Sequence, residues 1–446
     1  MSLIIPCNGK RDLILIKALR LLKLNFYCKI AVMRLSESKI KTKKRIEIEE
    51  ESKGLAYLLR ANFIEKLTSG VYNYLPFGLR VVRKIEKIVR EEMERIGGQE
   101  ILMAALHPKS LWEQTNRWEA FDALFKVQSR YGQWYGLGPT HEEVVTPLAK
   151  NFIFSYRDLP LYLYQIQTKF RDEPRPKGGL MRTKEFLMKD LYSFHTDEKD
   201  LDWYYEKVKK AYLKVYKRCG LKPIITEASG GTFSKFSHEF QVLTEKGEDT
   251  IFLCANCGFS RNKEIMEGKK CPVCGKKIES YSAAEVGNIF KLKDKYSRSL
   301  DLKYIDQNGE EKYVLMGCYG IGISRLLSVI SEVLSDSKGL VFPEEIAPYH
   351  YIILPLYTGR RDTDKKITKF SEEIYQLLKN HQKEVVFDDR KNVSIGEKFN
   401  DVDLMGIFYR LVISEKTLSK KRIEVKKRNS PNLKYLSKNE LVNLKK

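Results

Sequence analysis

The chain has 446 residues, too many for one hydrophobic core, so two or three domains are expected. An apolar fraction of 43% excludes wholesale disorder, and no run reaches the ~18 uninterrupted apolar residues of a membrane-spanning helix. Lysine and arginine number 80 against 58 acids, a net +22 that suits a polyanionic partner such as RNA, although a lysine-rich genome would give the same count.

The chain opens on a basic stretch. Residues 1–32 hold six lysines and arginines and one acid, Asp12, and the apolar run Leu13 to Val32 is cut by Lys17, Arg20, Lys23 and Lys29. Such an extension reads either as a targeting peptide, which is basic, amphipathic and acid-poor, or as an upstream misread start with Met33 the initiator. Scarce serine and an excess of lysine over arginine favour the misread start and a cytoplasmic protein. The targeting reading would make it organellar.

Residues 79–96 repeat apolar side chains at Val82, Ile85, Val89, Met93 and Ile96, a helical spacing that Gly97-Gly98 stops. The apolar run Glu100 to Leu106 is expected as a strand. Segments 161–170 and 185–194 are aromatic-rich, of strand length and joined by a basic, glycine-containing loop, which predicts an antiparallel hairpin. Residues 200–218 read as a helix. Residues 312–317 read as a strand, followed by a glycine turn and a helix over 321–334. Past a boundary at Pro343 to Pro348 come a strand (Tyr351 to Leu356), a helix (about 364–380) and strands at Glu384 to Phe387 and Arg410 to Ser414. That alternation suits a separate small α/β domain. The lysine-rich tail after Lys420 reads as solvated surface.

Three clusters carry chemistry. Phe170-Arg171-Asp172-Glu173, a loop from Pro174 to Met181, and Arg182 to Phe186 close one hairpin. On strands, Arg171 and Glu173 would share a face, as would Arg182 and Phe186. Two guanidinium groups, a carboxylate and an aromatic plate suit ATP: guanidinium binds phosphate bidentately and the plate can stack a purine. The same residues would also suit a solvated charged hairpin. Second, Gly317, Gly320 and Gly322 precede Arg325 at a strand-to-helix turn; the spacing is neither a dinucleotide fingerprint nor a P-loop. Third, Cys254, Cys257, Cys271 and Cys274 form two Cys-x-x-Cys pairs 13 residues apart, each followed by a glycine. In a long chain without a clear secretory signal this spacing reads as a zinc ribbon, closed and structural, or as a relic now held as thiols.

Taken in order, the first two clusters resemble motifs 2 and 3 of class II aminoacyl-tRNA synthetases, with the helix at 79–96 and the next strand standing where motif 1 belongs. Leu137 to Glu143, LGPTHEE, resembles the T-x-E loop of prolyl-tRNA synthetases. EFLMKDLYSFH (185–195), SHEFQVL (237–243) and MGCYGIGISR (316–325) are similar to the bacterial type of that family, and the resemblance runs from about Met33 to Leu418.

The resemblance implies an α+β catalytic domain over 33–343, with an antiparallel sheet flanked by helices and a zinc-ribbon-like insert at 250–282, then an α/β anticodon-binding domain over 348–446. It implies a homodimer that joins proline to tRNA(Pro) with ATP and Mg²⁺, the zinc being structural. Arg171 should touch the α-phosphate and proline's carboxylate. Glu173 and Phe186 should hold adenine, and Arg182 and Arg325 the outer phosphates. Thr140 and Glu142 should grip the imino group, with Met188, Asp190, Tyr192, Cys318 and His238 at the amino-acid pocket; Cys318 and His238 also suit purely structural places. Arg390 and Lys398 are candidates for the anticodon, or for a solvated charged loop. Catalysis would need positioned arginines and no general base.

Two departures bear on this reading. About 75 residues separate SHEF from the motif 3 turn, too few for the editing insertion common in the bacterial type. Ala104 stands where motif 1 normally has a proline that shapes the dimer interface. The rivals are a non-catalytic paralogue, which would be expected to lose some ATP residues, and a threonyl enzyme, whose zinc lies in the substrate pocket.

Overall fold

The computed structural model describes residues 32–39, 41–44, 52–176, 178–231 and 236–444. Contacts divide the chain into two compact units. One spans Ile40–Pro348 with Asp403–Gly406; the other spans Tyr349–Val402 and Ile407–Lys446 with the segment ending at Lys39.

The first unit is organised on a nine-stranded, mostly antiparallel sheet. Its strands in chain order are β1 (Leu161–Phe170), β2 (Glu185–His195), β3 (Ile224–Ser229), β4 (Phe236–Leu243), β5 (Asp249–Leu253), β6 (Ser260–Asn262), β7 (Glu279–Lys293) and β8 (Leu315–Gly322). The order across the sheet is β4-β3-β6-β5-β7-β8-β2-β1, with Gln99–Glu100 at the edge. Four helices matter for the site: α1 (Pro76–Arg95), α2 (Glu142–Ala149), α3 (Glu198–Arg218) and α4 (Ile323–Leu334).

Sequence explains the helices well. α1 starts on Pro76, which costs nothing at a first-turn position, and buries Val81, Val82, Ile85, Ile88, Val89 and Met93 along one stripe. Gly97, at φ +95°, ends it. α3 is capped by Asp197, whose carboxylate accepts from the Asp200 N–H, and carries Lys217 and Arg218 in its last turn, where the dipole favours cations. Its tyrosines Tyr204, Tyr205, Tyr212 and Tyr216 are buried against one face of the sheet.

The hairpin β1–β2 pairs Phe170 with Glu185 and Gln165 with Asp190. Side chains alternate along β2. Lys189 and Ser193 bond to Tyr212 and Tyr319 on the α3 side, which leaves Phe186, Met188, Asp190 and Tyr192 on the other face. That second face is the floor of the site.

Several expectations need correction. The run Glu100 to Leu106 is not one strand: between Gln99–Glu100 and a separate short strand at Leu106–Pro108 it is irregular, because Gln165 and Gln167 side chains take the hydrogen bonds of Met103 that a neighbouring strand would have used. Gly317 and Gly320 do not form a turn. β8 runs straight through to Gly322, and α4 begins at once. A side chain at Gly320 would meet Met188 Cε at 2.5 Å, so the glycines let neighbouring side chains lie on the strand. Arg171, Glu173 and Arg182 lie beyond the ends of the hairpin strands, so no strand face aligns them. The insert over 250–282 shares the main sheet of the first unit, to which β5, β6 and the start of β7 belong.

The second unit is a six-stranded sheet. β9 (Tyr351–Pro355), β10 (Val385–Phe387) and β11 (Tyr409–Ile413) are parallel; β12 (Ile423–Lys427) and β13 (Leu433–Leu436) continue it antiparallel. All five residues of β9 are buried, the near-continuous apolar run of a covered parallel strand. Helix α5 (Arg361–Asn380) closes one side over Ile367, Ile374 and Leu378. The tail after Lys420 is therefore partly structured. Met33 does not open the first unit: Val32–Arg34 lies parallel to β10 at the edge of this sheet, fixed by Arg34 to Glu372 (2.7 Å) and Asp389 (3.4 Å). Three residues have no period, so only a distant partner could place them. The rest of the extension over 1–32 lies outside the described residues.

Candidate active site

A cavity of about 220 Å³ opens on the floor made by β2, β7 and β8. Thr140, Glu142, Arg171, Glu173, Arg182 and Phe186 line it, with Met188, Asp190, Cys318 and Arg325. Ten residues singled out from separate parts of the sequence thus meet at one place.

At the amino-acid end, Glu142 opens α2 and is fully buried. It accepts from the hydroxyl of Thr140 and, at 3.1 Å, from the thiol of Cys318. Burial and the neighbouring carboxylate raise the Cys318 thiol well above its usual range, so it stays a donor. Behind this pair stands Arg117, 3.8 Å from Glu142 and 2.7 Å from Glu143, its guanidinium packed on Phe121 and Trp112. Met188 rests over Gly320 and Asp190 lies next along the floor.

At the other end, the guanidinium of Arg171 lies 5.1 Å from the Phe186 ring. Its Nε–H meets no acceptor among the described residues, and burial and Arg325 both oppose its charge, with Glu285 and Glu173 offsetting them. A part-buried guanidinium whose Nε–H is buried and unpaired among the described residues suits an anion. Arg325 donates to Met181 O (2.7 Å) and to Glu285 (3.1 Å); Arg182 pairs with Glu173 at 2.8 Å. An adjoining lobe adds Glu248 and Asp249 beside Arg171, Arg182, Arg325 and Glu285. Three guanidinium groups thus face a carboxylate cluster, an arrangement for polyphosphate with a hard divalent cation.

Two expected residues stand apart. Tyr192 is wholly buried below the cavity, its hydroxyl accepting from the His141 N–H at 2.9 Å. His238 is on β4, its Nδ1 2.8 Å from the Tyr205 hydroxyl, and does not reach the cavity wall. Sequence reasoning passed over Lys169, His141, Gln165, Arg117 and Glu285. Alternation along QIQTK was the one available signal, and it gives a face without saying what the face meets.

The four cysteines come together, their sulfurs all within 4.8 Å of one another, with Cys254–Cys274 at 3.5 Å and Cys257–Cys271 at 3.6 Å. A tetrahedron with metal–sulfur bonds of about 2.3 Å puts sulfurs about 3.8 Å apart, so the geometry fits zinc. The two knuckles are built alike. Gly258 N–H bonds to Cys254 O and Gly275 N–H to Cys271 O, both at 2.9 Å, and both glycines have positive φ.

In the second unit a groove of about 1340 Å³ runs between α5 and the segment from Lys391 to Lys398, a short loop leading into the first turn of the helix Ile395–Met405. Lys365, Lys369 and Lys391 line it and are exposed. Arg390 and Lys398 have internal duties instead. Arg390 bonds to Asp388 (2.7 Å) and Asp401 (2.9 Å), and buried Lys398 donates to Asp388 O at 3.0 Å. Asp388 is fully buried, and these two cations neutralise it.

A family model described as tRNA synthetase class II core domain (G, H, P, S and T) matches residues 125–334, and one described as Anticodon binding domain matches 350–445. The Proline--tRNA ligase of Wolbachia sp. subsp. Drosophila simulans (strain wRi) is 36% identical over 427 residues, covering 92% of this chain and 99% of that one. The Proline--tRNA ligase of Halothermothrix orenii (strain H 168 / OCM 544 / DSM 9562) is 35% identical over 551 residues, covering 89% and 96%. That alignment is longer than this chain, so the second relative carries residues this one lacks. Among solved structures, the prolyl-tRNA synthetase of Giardia lamblia in complex with prolyl-adenylate has a TM-score of 0.74 at 20% identity, covering 87% of this chain and 75% of that one. That of Cryptosporidium parvum, complexed with L-proline and AMP, has 0.72 at 18%, covering 88% and 76%. At such identities the likeness is one of fold.

Proposed function

The chain belongs to the proline–tRNA ligase family, and on that premise we propose that it activates proline with ATP to prolyl-adenylate and transfers the prolyl group to the 3′ end of tRNA(Pro). One observation carries the reading: a single cavity holds a buried carboxylate with its hydroxyl and thiol partners at one end and three guanidinium groups with an aromatic plate at the other.

Glu142 faces the imino cation of proline, and Thr140, bonded to it, fixes the carboxylate's direction. Arg171, at the guanidinium end, also comes within 3.5 Å of the Pro139 carbonyl beside Thr140, so it can hold proline's carboxylate against the α-phosphate while its charge meets the charge that grows there. Phe186 stacks adenine, and Glu173 accepts from its exocyclic amine. Arg182 and Arg325 leave their carboxylate partners for the outer phosphates. Proline's carboxylate oxygen bonds to the α-phosphorus as the bond to pyrophosphate breaks, and no side chain needs to move a proton. Glu285, with Glu248 and Asp249, would hold Mg²⁺, which supplies positive charge to the phosphates. The four cysteines would hold a closed, structural zinc. The groove beside α5 suits unstacked anticodon bases, which charged and aromatic groups read in single strands.

Proline-dependent ATP–pyrophosphate exchange tests the reading. Arg171→Ala should lose about 3 kcal/mol or more of transition-state stabilisation, over a hundredfold in kcat/KM. Robust exchange by that variant, or exchange driven by threonine and not proline, would refute it.

A further inference from the structure

Beneath the floor of the cavity lies a lysine that no step of this reaction uses. Lys169 is fully buried, where an unpaired ammonium would be costly. Gln165, Gln167 and Lys169 alternate along β1 and share a face, and Gln165 lies directly opposite Asp190. Lys169 Nζ is 2.9 Å from the Asp190 carboxylate and 2.5 Å from Nδ1 of His141. An ammonium only donates, so Nδ1 accepts, and the imidazole proton sits on Nε2, 3.0 Å from the carbonyl oxygen of Ala104. A second arm runs through Gln165, which donates to Asp190 at 3.0 Å and accepts from the Met103 N–H at 3.0 Å. Both arms therefore end on one backbone segment, Met103-Ala104. The remaining oxygen of Asp190, Oδ1, lies within the ion pair but receives no directed hydrogen bond among the described residues, and Asp190 lines the cavity.

We propose that Lys169 is a positioning residue for amino-acid recognition: with His141 and Gln165 it turns Asp190 so that Oδ1 accepts one N–H of proline's imino group while Glu142 accepts the other. The inference rests on the proline reading above. A protonated secondary amine has two N–H bonds, and the pocket presents two carboxylates.

Exchange kinetics on the full chain separate this inference from the reading beneath it. If the unchanged protein shows no proline-dependent exchange, the proline reading itself fails. Given that exchange, Lys169→Met raises the Michaelis constant for proline at least tenfold more than that for ATP; a smaller difference overturns the inference. Lys169→Met also leaves Asp190 buried without its cation, which can prevent folding. Lys169→Met combined with Asp190→Asn removes both charges and is compared with Asp190→Asn alone. A lysine that acts through Asp190 adds nothing once the carboxylate is gone, so the two proline constants agree within twofold. A double variant more than twofold worse than Asp190→Asn overturns the inference and leaves Lys169 a purely structural part.

Discussion

Two lysines are fully buried in the catalytic sheet, on opposite faces: Lys169 beneath the cavity and Lys189 against α3. They differ in what surrounds them. Lys169 has a carboxylate in contact, whereas Lys189 meets the hydroxyl and ring of Tyr212 and, at 3.1 Å, the Tyr319 carbonyl, with no carboxylate bonded to it among the described residues. Burial lowers Lys189 from 10.5 to about 7. In the unfolded chain it titrates near its ordinary value, so between pH 7 and 10.5 the unfolded state holds a proton that the folded state has lost. Stability then rises with pH through that window. Each pKa unit is worth about 1.4 kcal/mol, so the swing is at most a few kcal/mol. Wild type should gain stability over Lys189→Met as pH rises from 7 to 9, read from urea denaturation midpoints. Parallel curves for the two proteins would show that Lys189 keeps its proton when folded.

The two local elements that carry chemistry reach order by different routes. The hairpin β1–β2 is held by ten cross-strand pairs and the packing of both its faces. Its functional ends at Arg171 and Arg182 lie past the strands and depend on bonds such as Arg171 N–H to Lys184 O at 2.8 Å. The cysteine knuckles have little packing of their own: Cys254, Cys271 and Ile278 form the buried cluster, with Phe252, Phe259 and Met266 beside it. So small a core cannot offset the entropy of its loop, and a four-thiolate zinc site can supply the difference. Protein purified without chelator should carry one zinc per chain, and stripping it should raise hydrogen exchange over 254–278 before elsewhere. Less than about a tenth of an equivalent of zinc, with all four thiols freely titratable, would make the cluster a relic.

At the scale of the whole molecule, the stretch between β4 and β7 holds only β5, β6, a short 3-10 turn and the knuckles. That segment is too short to hold a further domain of its own. A pocket shaped for proline rejects a smaller side chain by only ~1–3 kcal/mol. The purified chain should therefore attach alanine to proline tRNA at a measurable rate and fail to remove it; rapid deacylation by the chain alone would contradict this. The second unit supports a separate test. Lys365→Glu with Lys369→Glu reverses charge in the groove, so tRNA charging should fall at least tenfold, and more steeply as salt rises in wild type. Proline-dependent exchange, which needs no tRNA, should stay within twofold. Equal losses in both assays would place these lysines outside tRNA binding.

The sequence by itself determined the helices and the long strands, because their signals are local: the stripe of α1, the caps of α3 and the aromatic runs of β1 and β2 need no distant partner. It also determined the cysteine spacing and the residues that give the cavity its charge. Tertiary structure alone decided which of those residues meet. Tyr192 shares the floor face with Met188 and Asp190 yet is covered by His141, and His238 lies on a strand that does not reach the cavity, since alternation fixes a face but not what lies opposite it. Arg390 and Lys398 read from sequence as anticodon contacts or a solvated loop because the burial of their partner, Asp388, depends on how the predicted strands pack together, which no local pattern states. Val32–Arg34 found its place by pairing with Val385–Phe387, more than 350 residues away. Lys169 shows the limit most clearly: its role depends on His141 from one loop, Asp190 from the next strand and Ala104 from an irregular segment, and three-body contacts of that kind leave no trace in the order of the chain.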